Sequence, residues 1–268
     1  MSEIKIAFIG AGNMATAIIN GIIKSGSTKE QNIFIYDKLQ DKMEVFAKQG
    51  MQICKSIGDA AQKAEYIFLA IKPQNYPEAL PELIPYCKTG KIIITIAAGI
   101  SSEYIMTALG YKCKVIRVMP NTPLLLGYGA TAMCASEMIT EEELDIVSNI
   151  FKSCGIVEYI PETLMNAVIC VNGSSPAYVY LLAKAMLESA IKQGIDSKAA
   201  QRLINQTILG SAKMLIESGK SAQQLIDMVA SPGGTTLASL QSFEKQNFED
   251  IIDNAMKACT QRAQELAK

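Results

Sequence analysis

The sequence predicts an α/β protein, in which a doubly wound, mostly parallel sheet is followed by an all-α C-terminal domain. Residues 1–160 alternate short apolar runs with segments of helical periodicity, which is the pattern of βαβ units. After Pro161 the β-branched runs disappear and long helical patterns continue to the end of the chain. Hydrophobic residues make up 49% of the 268 residues, enough to bury substantial cores. We therefore expect two domains, 1–160 and 161–268.

The individual elements follow from these patterns. The predicted strands are Ile4–Ile9, Ile33–Tyr36, Tyr66–Ala70, Lys91–Ile96 and Lys114–Val118, with Gly129–Cys134 and Ile156–Tyr159 completing or edging the sheet. The predicted helices include Met14–Lys24, Gln40–Lys48, one from an Asp196 N-cap to Glu217 ended by Gly219, Ser221–Val229, Thr235–Gln246 and Phe248–Leu266. Thr140 is expected to cap another helix. Residues 162–193 are predicted as one long helix that Pro176 kinks or restarts.

Composition excludes several classes of function. The sequence contains no histidine, which rules out a Ser-His-Asp triad, a His-ligated zinc site and a histidine acid/base. The net charge is -1 and no basic stripe is present, so we expect no nucleic-acid partner. The first apolar run is too short for a signal peptide, and no run approaches the roughly 18 residues of a membrane span. The seven scattered cysteines suggest a reduced, cytoplasmic location, and no metal site is predicted.

A glycine-rich turn is the strongest local signal. Gly10, Gly12 and Ala15 form a GxGxxA string directly after a predicted strand and before a predicted helix. Such a turn binds the pyrophosphate of a dinucleotide at the helix N-terminus, as in the Rossmann fold. Asp37 follows Ala15 by 22 residues, close to the spacing of a ribose-binding acid, and favours NADH. The neighbouring Lys38 either pairs with a 2′-phosphate or is a solvated surface residue, and the alternative for the whole string is a simple tight turn.

Further strings extend along the chain. They are AIKPQ at 70–74, IAAG at 96–99, RVMPNTP at 117–123, GSSPAY at 173–178 and SPGGTT at 231–236. Together with the glycine-rich turn, they resemble the pyrroline-5-carboxylate reductases from end to end, and the SPGGTT string is the most specific of them. The resemblance implies an oxidoreductase of proline biosynthesis that reduces 1-pyrroline-5-carboxylate to L-proline with NADPH or NADH. It also implies an intertwined homodimer, or a multiple of dimers, formed through the helical domain.

The resemblance also implies site residues. Cofactor contacts are expected at Ile9, Gly10, Ala11, Gly12, Asn13, Met14, Asp37, Lys38, Ala70, Ile71, Lys72, Pro73, Ile96, Ala97, Ala98 and Asn121. Substrate contacts are expected at Ser231, Gly233, Gly234, Thr235 and Thr236.

The residue types suggest how these positions work. The two glycines of the SPGGTT string let successive N–H groups converge on a carboxylate, and Thr236 is a candidate catalytic residue placed to hydrogen-bond the ring nitrogen. The alternative is an ordinary helix–loop–helix turn with a Ser/Thr cap. Lys72 is either a general acid or a residue whose backbone shapes the nicotinamide pocket. Asn121 either lines the nicotinamide end of the cleft or belongs to a crossover that two prolines stiffen.

Two other functions compete with this prediction. One is a related imine reductase or a β-hydroxyacid-type dehydrogenase, which uses a lysine of the helical domain as its acid. Here Lys184 lies well past the expected position, which argues against an alcohol-forming reaction. The other is a non-catalytic NAD(P)-sensing module, which would need no SPGGTT loop.

Overall fold

The structure is a computed structural model that describes residues 4–88 and 90–266. The strands are β1 (Ile6–Ile9), β2 (Ile33–Tyr36), β3 (Gln52–Ile53), β4 (Tyr66–Leu69), β5 (Ile92–Thr95), β6 (Lys114–Met119), β7 (Gly129–Ala135) and β8 (Gly155–Tyr159). The helices are α1 (Asn13–Ser25), α2 (Gln40–Lys48), α3 (Ile57–Lys63), α4 (Tyr76–Leu83), α5 (Ser102–Leu109), α6 (Glu141–Lys152), α7 (Ser175–Lys192), α8 (Ser197–Glu217), α9 (Ala222–Val229), α10 (Thr235–Lys245) and α11 (Phe248–Leu266).

The strands form one eight-stranded sheet in the order β3-β2-β1-β4-β5-β6-β7-β8. All neighbours run parallel except β6 and β7, which are antiparallel. The change of direction in strand order lies between β1 and β4, and ligands bind doubly wound sheets at that point. The predicted Rossmann-type sheet is therefore confirmed, including its two extra strands, which form its far edge.

Alternating residues of the central strands bury both faces of the sheet. In β1, Ile6 and Phe8 belong to a core that includes residues of α1 and α6, whereas Ala7 and Ile9 belong to a second core with residues of α3, α4 and α5. Phe8 stacks on Phe68 of β4, with ring centroids 4.7 Å apart. Strands buried on both faces read as continuous apolar runs, which explains why these strands were predictable.

The chain divides into two compact units. One runs to Ser174 and includes the C-terminal segment from Ala258; the other is Ser175–Lys257. Every residue from 175 to 257 is described, and within that range only Ala200 and Ile204 are buried apolar residues. Large apolar side chains on the helices of this second unit are exposed, including Leu203, Ile216 and Val229. Exposed apolar helix faces of this kind indicate a surface that a partner covers.

Among the described residues, no helix is both long and apolar enough to cross a membrane.

Several predicted helix ends are confirmed by hydrogen bonds. Thr140 and Glu143 form a reciprocal capping box at α6, and the Asp196 carboxylate accepts from the N–H of Ala199 at the start of α8. Gly219 follows the last turn of α8 with φ of 67°, the left-handed conformation expected after a helix.

The prediction of helix before residue 173 was wrong. Residues 162–164 and 168–170 form short 3-10 turns, and the long helix starts only at Ser175, where Pro176 restarts it. Tertiary hydrogen bonds explain the difference. The Asn172 side chain donates to the carbonyls of Met119 in β6 and Ala130 in β7, and these bonds anchor the segment to the sheet just before the long helix begins. The two-residue strand β3 was not predicted, since its exposed residues carry no apolar pattern.

A partly buried ion pair links three parts of the first unit. Arg117 of β6 is 3% exposed and donates to Glu162 at 2.9 Å. Glu162 also accepts from the N–H and hydroxyl of Ser102, at the start of α5, and from the thiol of Cys134 at 3.4 Å. Burial opposes ionisation of Glu162, but the hydrogen bonds from Ser102 and Arg117 outweigh it and hold its pKa below the usual value. The ionised carboxylate therefore fixes the beginning of α5 against the sheet.

Glu162→Gln should lower the free energy of unfolding by about 1–3 kcal/mol at neutral pH, because a buried guanidinium loses its charged partner. The pKa of Glu162 is lowered on folding, so its stabilisation is present above the unfolded value near 4.5 and is lost as the pH falls through the folded pKa. Urea unfolding of both proteins between neutral and acidic pH should show the difference shrinking in acid. Glu158→Gln, on exposed β8, is the matched control. A difference that stays constant into strong acid would contradict this role.

Candidate active site

The glycine-rich turn connects the ends of three strands. Gly10 has φ of 103°, and its N–H donates to the carbonyl of Tyr36 at 2.7 Å. A Cβ at this position would lie 2.4 Å from the carbonyl oxygen of Ala70, so only glycine fits. The N–H of Ala70 in turn donates to Ile9 at 2.8 Å. The carboxyl ends of β1, β2 and β4 therefore meet at one edge, where ligands bind such sheets.

The start of α1 provides a cradle for an anion. Gly12 is the N-cap, and among the described residues no side chain caps this helix. Backbone N–H groups of the first turn are thus available, as is usual where helix N-termini bind phosphate. A Cβ at Gly12 would meet no protein atom within 4 Å, and Gly12 lines a cavity of about 620 Å³. This open space at a helix N-terminus fits the pyrophosphate of a dinucleotide.

The Asp37 carboxylate is fixed by two backbone groups. Its Oδ2 accepts from the N–H of Ala11 at 2.8 Å, and its Oδ1 accepts from the N–H of Leu39 at 2.9 Å. Beside it, Lys38 forms an ion pair with Glu78 of α4 at 2.5 Å. The hydrogen bond between them raises the pKa of Lys38 and lowers the pKa of Glu78. The candidate cleft therefore holds an oriented carboxylate next to a lysine whose charge is paired with Glu78.

One buried tyrosine joins the ends of β4 and β5. The Tyr76 hydroxyl bonds the carbonyl of Leu69 at 3.1 Å and the hydroxyl of Thr95 at 2.7 Å. Thr95 also accepts from the N–H of Ala97 at 3.3 Å. Burial raises the pKa of Tyr76, so the phenol stays protonated and keeps its donor. Tyr76 thereby fixes the spacing of the two loops in which Lys72 and Ala97 lie.

Asn121, after β6, uses its side chain within the protein. It is 7% exposed, and its Oδ1 accepts from the N–H of Ala130 at 2.9 Å. The Asn172 amide donates to the carbonyl of Ala130, so the two asparagines hold the turn between β6 and β7. Asn121 therefore shapes this turn through its side chain.

The SPGGTT loop lies in the second unit, before α10. Gly233 has φ of 72°, a conformation that favours glycine, and a Cβ at Gly234 would lie 2.5 Å from the Ser231 hydroxyl, which would have to move to make room. Gly234 is the N-cap of α10, and no described side chain caps that helix. Within the described residues, the hydroxyls of Ser231 and Thr236 make no hydrogen bond. The loop thus combines a helix N-terminus with two available hydroxyls, a combination suited to a small carboxylate.

Thr236 also lines a second cavity. This cavity of about 1070 Å³ lies between α8, α9 and α10 and is bounded mainly by apolar side chains, among them Met214, Leu225 and Leu240.

The structure brings many of the predicted cofactor residues to one cavity. The predicted residues lining the 620 Å³ cavity are Ile9, Gly10, Gly12, Asp37, Lys38, Ala70, Ile71 and Lys72. Those that do not line it are Ala11, Asn13, Met14, Pro73, Ile96, Ala97, Ala98 and Asn121. Sequence reasoning missed Lys42, Asn75, Glu78 and Glu82, which also line it. The one available signal was the spacing of Glu78 and Glu82, which puts both carboxylates on one face of α4.

No group of three or more potential metal ligands converges among the described residues.

Comparisons with known proteins agree with this architecture. Residues 162–266 match the family model for pyrroline-5-carboxylate reductase dimerisation, and residues 5–99 match that for NADP oxidoreductase, coenzyme F420-dependent. The pyrroline-5-carboxylate reductase of Escherichia coli is 37% identical over 99% of both chains. The enzyme of Haemophilus influenzae is 40% identical over 97% of both chains.

Solved structures give the same result. Pyrroline carboxylate reductase from Plasmodium falciparum, crystallised with NADP bound, superimposes with a TM-score of 0.92 at 31% identity and covers 100% of both chains. Pyrroline-5-carboxylate reductase from Coxiella burnetii gives a TM-score of 0.90 at 32% identity, again over 100% of both chains. Relatives this similar over their full length establish the assignment: the chain belongs to the pyrroline-5-carboxylate reductase family.

Proposed function

We propose that this protein reduces 1-pyrroline-5-carboxylate to L-proline with NADH or NADPH, the last step of proline biosynthesis, and that it does so in the cytoplasm. The observation that carries the proposal is the full-length match to reductases of this name. The glycine-rich turn of the first unit and the SPGGTT loop of the second supply the two binding functions that the reaction needs.

The first unit is proposed to bind the dinucleotide. The N–H groups at the start of α1 would hold the pyrophosphate, and the Asp37 carboxylate would accept from the ribose hydroxyls. The loops at 70–73 and 96–98 would enclose the nicotinamide, with Tyr76 fixing their spacing. The bound nicotinamide supplies the hydride, so these residues contribute chiefly orientation.

The second unit is proposed to bind the substrate. The N–H groups around Gly233 and Gly234 would hold the carboxylate, together with the Ser231 hydroxyl and the N-terminus of α10. The Thr236 hydroxyl would hydrogen-bond the ring nitrogen, accepting from the N–H of the protonated imine or donating to the neutral imine. Its freedom from internal hydrogen bonds supports this role, because a committed hydroxyl would have to give up a partner first.

Proton supply is limited by the absence of histidine. We propose that the imine binds in its protonated form, or that Thr236 relays a proton from water to the nitrogen. Hydride then adds to the imine carbon, and the electron pair of the C=N bond remains on nitrogen. Lys72 is exposed on the cavity wall, and its backbone would shape the nicotinamide pocket while its amine faces solvent or phosphate.

The direct test is turnover. Purified protein mixed with pyrroline-5-carboxylate should oxidise NADH or NADPH and form proline in equal amount. Hydroxyacids offered with the oxidised cofactor serve as the comparison. Turnover of a hydroxyacid alone, or binding of NAD(P)H without any reduction of the imine, would reject the proposal.

Thr236→Ala should lower kcat/KM for the imine by about 10- to 100-fold, because a hydrogen bond to a charged group is lost. Thr236→Ser keeps the hydroxyl and should retain most of the activity. The KM for the dinucleotide should change little in both variants. Equal activity of the alanine and wild-type enzymes would show that this hydroxyl has no part in catalysis.

The helical unit is proposed to form a homodimer. Residues 162–266 match a dimerisation model, and the exposed apolar side chains of α8 and α9 need a covering surface. The apolar cavity between α8, α9 and α10 belongs to the same surface. Larger assemblies built from such dimers are compatible with this arrangement.

Light scattering of the purified protein should give at least twice the chain mass of 29.0 kDa. Val229→Glu should shift it toward the monomer, because a carboxylate would be buried among apolar side chains. Val229 is 66% exposed in the isolated chain, so the substitution should leave the monomer's own packing intact. Lys220→Glu, outside α8 and α9, is the control. A wild-type monomer at micromolar concentration would contradict the dimer.

A further inference from the structure

The 620 Å³ cavity carries balanced charges. The charged residues among the described lining of the whole cavity are three lysines (Lys38, Lys42 and Lys72) and three carboxylates (Asp37, Glu78 and Glu82). A dinucleotide with a 2′-phosphate brings close to two additional negative charges to this region, and a cavity of zero net charge offers them no general attraction. Discrimination between the two cofactors therefore depends on how individual charges are paired.

Asp37 is arranged to accept hydrogen bonds from a ribose. Each of its oxygens receives one backbone N–H, from Ala11 and from Leu39, and each retains a further lone pair. A ribose offers two hydroxyl donors, which match two fixed carboxylate oxygens. A 2′-phosphate offers only acceptors and negative charge, so it would face an anchored carboxylate that cannot turn away without losing both backbone bonds.

The neighbouring lysine is already engaged. Lys38 lies next to Asp37 in sequence and is the natural partner for a 2′-phosphate, but its Nζ lies 2.5 Å from Glu78. Both side chains are mostly exposed, at 61% and 70%, so the pair is weak enough for a phosphate to compete with it. A phosphate that binds Lys38 must still break the Lys38–Glu78 ion pair, and the unpaired carboxylate of Glu78 then lies beside the phosphate.

We propose that Glu78 is a specificity-determining residue of this chain: by pairing with Lys38, it acts with Asp37 to favour NADH over NADPH. The inference rests on the proposed dinucleotide site but not on the imine substrate. It names a residue of α4, some 40 positions away from the strand end where cofactor preference is usually sought.

The test measures binding without turnover. Isothermal titration calorimetry of the full-length protein would compare ADP-ribose with 2′-phospho-ADP-ribose, which differ only in the 2′-phosphate. Wild-type protein should bind ADP-ribose more tightly. Glu78→Gln should shift the ratio of the two Kd values toward the phosphorylated ligand by about two- to fivefold, as expected for release of an exposed ion pair. The Kd for ADP-ribose itself should stay nearly constant.

Glu82→Gln is the matched control, because it removes the same charge from the same cavity without a bond to Lys38. Its shift should be clearly smaller than that of Glu78→Gln. Adding Lys38→Gln to Glu78→Gln should cancel the gain, since the phosphate would then lose the released cation. Asp37→Ser should reduce the preference by roughly tenfold or more, because a like charge is removed from the phosphate.

Three outcomes would overturn the inference. The first is tighter binding of 2′-phospho-ADP-ribose by the wild type. The second is an equal shift in the Glu78 and Glu82 variants, which would mean that only total charge matters. The third is a gain in Glu78→Gln that survives loss of Lys38, which would assign the phosphate to Lys42. Failure of the folded protein to bind either ligand would reject the dinucleotide site as well, whereas loss of imine turnover alone would leave this inference standing.

Discussion

The common level at which β1, β2 and β4 end is the constraint on which the candidate site depends. Ile9 pairs with Tyr36 on one side and with Leu69 on the other, so the next residue of each strand emerges at the same edge. This close approach of the strand ends needs glycine at position 10, since a Cβ there would lie 2.4 Å from the carbonyl oxygen of Ala70. A slip by one residue would exchange the two buried faces of β1 and misplace all three loops together.

Much of this arrangement could be predicted from the sequence, and the parts that could not have a common cause. Apolar strands, helical periodicity and capping residues are local patterns, so β2, α2 and the Asp196 cap were predictable. The segment at 162–170 and the pairing of Lys38 with Glu78 depend on partners distant in sequence. The glycine-rich turn likewise indicated the cofactor edge, but not that the carboxylate of Asp37 is held by the backbone. Long-range hydrogen bonds decide such details, and no local pattern encodes them.

Polar side chains in the two units have different tasks. In the first unit, the buried side chains of Tyr76, Thr95 and Asn121 form hydrogen bonds within the protein that hold loops in place. In the second, the hydroxyls of Ser231 and Thr236 make no hydrogen bond within the described residues, and they lie beside Gly233, whose positive φ favours glycine. Buried hydrogen bonds therefore support the loops proposed to bind the cofactor, whereas the free hydroxyls lie in the short loop proposed to bind the substrate. This division suits a reaction in which the cofactor carries the chemistry and the protein supplies position.

The thin core of the helical unit has a consequence for how the protein responds to dilution. Helices α7 to α10 bury few of their own side chains, so most of their packing free energy depends on the surface that covers them. When a second copy provides that surface, folding of these helices and association become one equilibrium governed by mass action. The melting temperature then rises with protein concentration, and a cell holding few copies would keep a larger fraction of the chain without an organised SPGGTT loop.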